Sequence, residues 1–594
     1  MFDSDNHIFQ LAARFIQQTG RSVFLTGKAG SGKTTFLRYI RENSVKKMTV
    51  IAPTGVAAIN AGGVTMHSFF QLPFGPYLPS DPYTLIKNVR FNREKRSLLQ
   101  ELELLVMDEI SMVRADALDA IDVILRHFRG QPQLPFGGVQ VLYIGDLFQL
   151  PPVVPDSEWE ILKGFYRSPY FFDARVAQTA PPLYLELEKI YRQSDRAFID
   201  ILNNVRYNRA RAADLEKLHE HYIPGFEAPP TENYITLTSH NASAMDINQV
   251  ELEKLAGAEY TFEAELTGDF GEKSFPTDKA LVLKEGAQIM FIKNDKNETR
   301  RYFNGKIGVV REIGAKKIVV GFPGETAELE VEQETWKNIR YNYNREKDQI
   351  EEEELGAFKQ YPLRLAWAIT IHKSQGLTFD KAIVDAGASF APGQVYFALS
   401  RLTGMEGLVL RSRIQPHSIS TDERVIAFSE KQMGDEALKS ELRAEESKYI
   451  GRMLLRSFDL SSLVEALQDN YDEHDKRAFP EQRKAVLLGK EWLDAATAHR
   501  ETAAKFILVL GQLLDAAPVN GYEPAQQRTA AAVGYFTKAL QEELILPLKA
   551  HIGEFKTKVK VKKYIKGLQD MELIFTRKKE EIEQAAERLK NINC

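Results

Sequence analysis

The chain of 594 residues predicts an α/β fold on a parallel sheet, with a small antiparallel β module and an all-α C-terminal region. Three observations carry that prediction. A glycine-rich stretch lies between a short apolar segment, Ser22–Thr26, and a run with helical apolar spacing from Lys33 onward. Segments 306–311, 317–322 and 326–331 concentrate β-branched residues between glycine turns. From about residue 430 the chain turns rich in Ala, Leu, Glu and Lys with helical periodicity. A chain this long divides into about three or four domains.

Hydrophobic content of 44% and charged content of 27% are those of a soluble globular protein. No run approaches the roughly 18 apolar residues of a membrane-spanning helix. The acidic start, Met1-Phe2-Asp3-Ser4-Asp5, lacks the apolar core of a signal peptide. The one cysteine, Cys594, excludes an internal disulfide and a cysteine-cluster zinc site. A cytoplasmic protein is expected. The net charge of −5 means that any nucleic-acid contact must be a local groove.

Taken in order, Phe9 to Ile16 reads as a helix, and the Gln10 amide could pair with an adenine edge. By itself a solvated helix glutamine is the better reading of that residue. In Gly27-Lys28-Ala29-Gly30-Ser31-Gly32-Lys33-Thr34, the glycines let consecutive N–H groups face an anion at a helix N-terminus. Lys33 would reach the β- and γ-phosphates of a nucleotide such as ATP, and the Thr34 hydroxyl would hold Mg²⁺. Thr35 closes the stretch expected to line the phosphates. The apolar segment Glu103–Met107 then delivers Asp108 and Glu109 at a strand end. Asp108 suits the surroundings of Mg²⁺, and Glu109 would activate a water. Four more motifs follow: Gly145–Pro152, Tyr191-Arg192-Gln193, Thr370–Gly376 and Ala398–Arg401. In this order they describe a machine driven by ATP on a nucleic-acid strand.

Across these segments the chain resembles the PIF (petite integration frequency) family of DNA helicases, in superfamily 1B, with RecD as a more distant relative. Ala52–Ala58, Thr65–Phe69, Asp108–Val113, Pro135–Gln140, Phe303-Asn304-Gly305 and Gly393–Arg401 carry the match, which covers roughly residues 1–425. The resemblance implies two RecA-like P-loop domains with ATP between them, an SH3-like β insert, and single-stranded DNA across the top. It puts the adenine-contacting glutamine on Gln10, the phosphate sensor on Gln149, and the γ-phosphate arginines on Arg192 and Arg401. Gln375 falls in the matching Thr-x-His-Lys-Ser-Gln-Gly motif. It further implies 5′→3′ movement and unwinding of duplex or structured DNA in repair, recombination, replication or telomere-type maintenance.

Thr54, His67, Thr370, His372, Lys373 and Ser374 carry groups suited to phosphate and sugar contacts at predicted strand ends and loops. Phe69 and Phe70 either stack on bases or fill a core. The Pro/Gly-rich segment Leu72–Asp81 is a candidate duplex wedge or a plain surface loop. The acidic run Glu351–Glu354 reads as a solvated linker.

The expected domains are 1–180 (first RecA-like, small insert about 69–100), 181–430 (second RecA-like, SH3-like insert about 305–355) and 431–594 (helical). In the helical region periodicity marks 483–495, 502–516, 526–545 and 568–589, with loops near Pro518 and Gly553. Lys556, Lys558, Lys560, Lys562, Lys563 and Lys566 form either a DNA-backbone contact or a solvated face or acidic-partner site. The expected partners are single-stranded and forked DNA, with no membrane. The helical region would recruit a protein or DNA partner, and the protein would be a monomer, nucleoid-associated in a bacterium. A DNA-clamping adaptor and a RecD-like subunit of a nuclease complex are the rival readings.

Overall fold

The computed structural model describes the chain except residues 1–5, 29, 74, 190–194, 230–231, 296–300, 324, 345, 386–392, 476–479, 559–560 and 591–594. The chain divides into two compact units, Met1–Gln17 with Arg21–Gly434, and Gln18–Gly20 with Asp435–Cys594. Among the described residues, no helix is long and apolar enough to cross a membrane.

The first unit opens on β1 (Val23–Gly27), β2 (Met48–Ala52), β3 (Val64–Thr65), β4 (Leu104–Met107), β5 (Gln140–Ile144) and β6 (Leu183–Leu187). They form one parallel sheet in the order β3-β2-β4-β5-β1-β6. β1, β4, β5 and β6 are buried along their whole length, as strands covered on both faces must be. The first domain therefore extends past the expected boundary at 180, because β6 pairs with β1 from Leu183 to Leu187. The small insert at 69–100 folds as two short helices. Pro82–Asn88 is capped by the Asp81 carboxylate on Thr84 N–H, and Arg93–Glu101 by Asn92 on Lys95 N–H.

A second sheet begins with β7 (Ile235–Thr238). The chain then leaves it for β8 (Tyr260–Glu263), β9 (Glu265–Gly268), β10 (Ala280–Leu283), β11 (Gln288–Phe291), β12 (Ile307–Gly314), β13 (Lys317–Gly321) and β14 (Glu328–Glu330). β15 (Glu334–Asn344), β16 (Gln349–Gln360) and β17 (Leu363–Leu365) complete this excursion. It returns with β18 (Ala368–Thr370), β19 (Ala382–Val384) and β20 (Leu408–Leu410), giving the parallel order β18-β7-β19-β20.

The expected strands at 306–331 are present as β12, β13 and β14, but the insert is wider than 305–355. β11 and β17 close the same five-stranded sheet, which has its own apolar core around Phe291, Val320 and Leu363. The acidic run Glu351–Glu354 is not a linker: it lies in β16, paired with β15. Its charges are met there, Glu353 by Arg340 at 2.7 Å and Glu354 by Lys337 at 2.8 Å. Phe69 and Phe70 are core residues, buried at 4% and 0% exposure, so neither ring is available to stack on a base.

The second unit is helical, with its own core centred on Leu454, Phe458, Leu544, Phe555 and Phe575. The two periodic segments at 483–495 and 502–516 are one helix, Gln482–Asn520. Pro518 lies in its last turn, and Gly521 follows at φ +77°. Gly553 sits inside the helix Leu546–Phe555, so the loop falls after it. A π-helical segment, Leu540–Ile545, joins this helix to Glu523–Ala539. Two lysines of the basic cluster are ion-paired within the unit, Lys558 with Glu481 at 2.6 Å and Lys563 with Glu473 at 2.9 Å.

Candidate active site

The buried strand β1 ends at Gly27, and the helix Lys33–Asn43 begins behind Gly32, whose φ of +96° is open to glycine at no steric cost. Gly32, at the cap position, has no side chain with which to close the N-terminus of that helix. The Lys33 ammonium is folded back on the loop, donating to the Gly27 carbonyl at 2.6 Å and the Lys28 carbonyl at 3.1 Å. Among the described residues the buried Ser31 hydroxyl has no hydrogen-bond partner, while Thr34 and Thr35 are exposed. Burial lowers the Lys28 pKa, with the Arg206 charge adding to the effect. Ala29 lies outside the described residues. The half-buried Gln10 belongs to the helix His7–Gln18, which packs on the phosphate-loop helix through Phe9 and Phe36, ring centroids 4.9 Å apart.

Asp108 and Glu109 follow β4. Burial, and then the charge of Glu109, push the Asp108 carboxyl up to about 7. Burial also raises Glu109, opposed by the charges of Lys33 and Arg401 and by the Gln375 amide. Groups from both sheets thus meet at one carboxylate. Glu109 holds a left-handed backbone, φ +54° and ψ +45°, a strained conformation for a residue with a Cβ. Glu109→Gly should remove about 1 kcal/mol of such strain along with a buried carboxyl. The same change leaves the buried Arg401 guanidinium without the carboxylate that chiefly answers it, so the variant is expected to melt lower than the parent and to lose ATP hydrolysis. Glu109→Ala shares that loss and keeps the strain, so differential scanning calorimetry should show Glu109→Gly melting above Glu109→Ala, and equal or reversed melting temperatures would count against stored strain.

Arg401 follows the helix Gln394–Leu399 and is 2% exposed. Its Nη2 donates to Ser400 Oγ at 3.1 Å, and its guanidinium covers the Phe397 ring at 4.3 Å. Burial lowers its pKa to about 10, against the pull of Glu109.

Gln149 donates through Nε2 to Asp146 Oδ2 at 3.0 Å, and both side chains are buried. The other Asp146 oxygen accepts from Nη2 of Arg206 at 3.2 Å. Nη1 of Arg206 lies 3.2 Å from Glu186 Oε1, on β6. Arg206 has no exposed surface and was not foreseen from sequence. Its signal is there: it falls four positions after Leu202, on the buried face with Phe198, Ile201 and Val205 of the helix Arg196–Arg206. Arg192 lies outside the described residues.

The expected strand-contacting residues separate into two groups. Thr54 is exposed and caps the helix Gly55–Ala61, and Lys373 is exposed in the turn after β18. His67 is half-buried, and burial beside Arg114 lowers its pKa. Thr370 and Ser374 are buried instead. Thr370 Oγ1 accepts from Lys373 N at 3.4 Å, and Ser374 Oγ donates to the Ile371 carbonyl at 2.7 Å. Those hydroxyls hold the turn and are not presented outward. The His372 side chain lies outside the described residues. Beside this turn a cleft is lined by Val56, Asn60, Asn304, Trp336, Arg364 and Lys373. The β15–β16 hairpin reaches the first sheet's domain: Glu352 pairs with Arg41 at 2.9 Å, Asp348 with Lys47 at 2.6 Å, and Tyr341 OH donates to the Gly62 carbonyl at 3.3 Å.

The chain is similar to known proteins. A family model described as PIF1-like helicase matches residues 2–210, and one described as DNA helicase, middle domain, matches residues 441–593. The ATP-dependent DNA helicase Pif1 of Bdellovibrio bacteriovorus is 33% identical over 432 residues, 70% of this chain and 90% of that protein. Unliganded Pif1 from Bacteroides sp. superimposes with a TM-score of 0.67 at 41% identity, covering 72% of this chain and 97% of that one. The Bacteroides Pif1 helicase in complex with ADP-AlF3 and single-stranded DNA gives 0.51 at 42% identity, covering 74% and 98%.

Proposed function

Because the chain belongs to the PIF1-like helicase family, we propose that it is an ATP-dependent DNA helicase running 5′→3′ on single-stranded DNA and opening duplex or forked DNA ahead of it. The observation that carries this reading is the placement of Glu109 at the end of a strand of the first sheet, within the fields of Lys33 from the glycine-rich loop and of the buried Arg401 beyond the second sheet. A site completed from two sheets ties hydrolysis to closure of the cleft between them, as a motor requires. The relatives solved with single-stranded DNA and a nucleotide analogue support the same ligands here.

The residues divide the chemistry. Lys33, released from the Gly27 and Lys28 carbonyls, holds the β- and γ-phosphates, with the uncapped N–H groups of the loop beneath them. Gln10 faces the adenine edge. Glu109 takes the proton of the attacking water, and its raised pKa makes it a better base than an exposed glutamate. Gln149 senses the γ-phosphate, and Arg192 and Arg401 meet its developing charge. Thr34 and Asp108 fit Mg²⁺: they are hard oxygen donors, too few for a cage and suited to a cation shared with phosphate and water. Among the described residues no cluster of three His, Cys, Asp or Glu side chains offers another metal site. Held by Thr34 and Asp108, such an ion would supply positive charge to offset that gathering on the phosphates.

DNA lies along Thr54, His67 and Lys373, contacts that position a strand without reading its sequence. Parting each base-pair step costs on the order of 1.4 kcal/mol, which one ATP easily covers. The helical unit adds a partner or DNA contact, and its match to a helicase middle domain supports a role in the same activity.

Full-length protein should unwind 5′-tailed duplexes and leave 3′-tailed ones paired. A chain ending at Gly434 should keep DNA-stimulated ATP hydrolysis and unwind less per ATP. Fluorescent strand-displacement assays measure both. Preference for the 3′ tail overturns the polarity, and ATP hydrolysis without any displacement favours the adaptor.

A further inference from the structure

We infer that Arg206 is a positioning residue that ties the sensor pair Asp146–Gln149 to the helix delivering Arg401, so that both reach the γ-phosphate together. The inference rests on the helicase reading above and names a coupling device within the same site.

The placement comes first. The helix Arg196–Arg206 packs on the helix Gln394–Leu399, which runs directly into Arg401. From there Arg206 enters the first domain and meets Asp146 beyond β5 and Glu186 on β6, each at 3.2 Å. Its guanidinium covers the Phe148 ring at 4.2 Å, one residue from Gln149. Tyr396, on the helix before Arg401, lies within the fields of both Arg206 and Arg401 and of Asp146. A buried polar chain therefore runs from Gln149 through Asp146 to Arg206, whose helix packs on the one that leads into Arg401.

The energetics argue against a purely structural role. A guanidinium with no exposed surface is costly, and apolar residues replacing it together with its acidic partners would serve stability as well or better. Among the described residues, Nε and Nη1 of Arg206 have no hydrogen-bond partner, although Nη1 stands opposite Glu186. The hydrogen bond that Nη2 makes goes to Asp146, the residue that orients Gln149. Opening the cleft would withdraw Arg206 from Asp146 and Glu186 and free the sensor at the same moment as Arg401.

The test compares Arg206→Met, Arg206→Lys and Glu186→Gln in the full chain, with Arg401→Ala alone and combined with Arg206→Met. Arg206→Met should leave the KM for ATP little changed and lower DNA-stimulated kcat by about 10²-fold, the cost of a misplaced group. Arg206→Lys should recover part of that loss. The double variant should be no slower than Arg401→Ala, because the two act through one chain. Parental kcat in Arg206→Met, or full additivity with Arg401→Ala, overturns the inference. If Arg206→Met fails to fold, Glu186→Gln must lower kcat at constant KM, and an unchanged kcat there overturns it. Failure of the parent protein to hydrolyse ATP would instead sink the helicase reading.

Discussion

Lys33→Ala is expected to lower DNA-stimulated ATP hydrolysis by at least about 10³-fold while the protein stays folded. Two effects combine. The variant loses the ammonium that the loop holds ready 2.6 Å from the Gly27 carbonyl, and with it the charge opposite the β- and γ-phosphates. It also loses the larger of the two cationic influences on Glu109, so burial drives that carboxyl further toward its neutral form, which accepts no proton. The fold has little to lose, because Lys33 stands at the half-exposed start of its helix and carries no core packing. Phosphate release with and without single-stranded DNA, beside a thermal melt, measures both. Undiminished turnover would sink the assignment of this loop as the phosphate site.

Arg401→Ala should keep ATP binding and lose hydrolysis by about 10³-fold or more, the range for an arginine that meets transition-state charge. Arg401 is nearly sealed from solvent, and its charge is answered chiefly by Glu109. Removing it leaves that glutamate with the Lys33 charge and the Gln375 amide, and uncovers the Phe397 ring. Arg401→Lys keeps the charge but not the planar fork, and should restore only a minor part of the rate. Fluorescent-nucleotide titration separates the outcomes. Loss of binding together with a lower melting temperature would mean that Arg401 supports the fold and does not act on the phosphate.

Much of the proposed phosphate site was legible because its members are close in sequence or end a strand. Gly27 to Thr34 is a continuous loop, and the apolar Leu104–Met107 announces where Asp108 and Glu109 emerge. Arg206 was not legible, since its partners Asp146 and Glu186 come to it only through sheet order and helix packing. Its one local sign is an arginine on an otherwise apolar helix face. β8 to β11 were missed in the insert, and β9 is exposed throughout, with no alternation to read. Glu351–Glu354 misled for a related reason: β16 meets those charges with basic partners on β15 instead of alternating buried and exposed faces. Phe69 and Phe70 could not be sorted between core and DNA until the insert helices covered them. Arg192 keeps its role from the family motif alone.

The left-handed backbone at Glu109 carries a consequence for selection. A library screened only for heat resistance would favour glycine at this position once the Arg401 charge has also been removed or answered, because glycine relaxes the chain there. A library screened for turnover would keep the glutamate at whatever cost in strain. The two screens pull one position in opposite directions, so the identity of residue 109 records which pressure a lineage has been under. Any attempt to make a hardier motor from this scaffold must find its gains elsewhere.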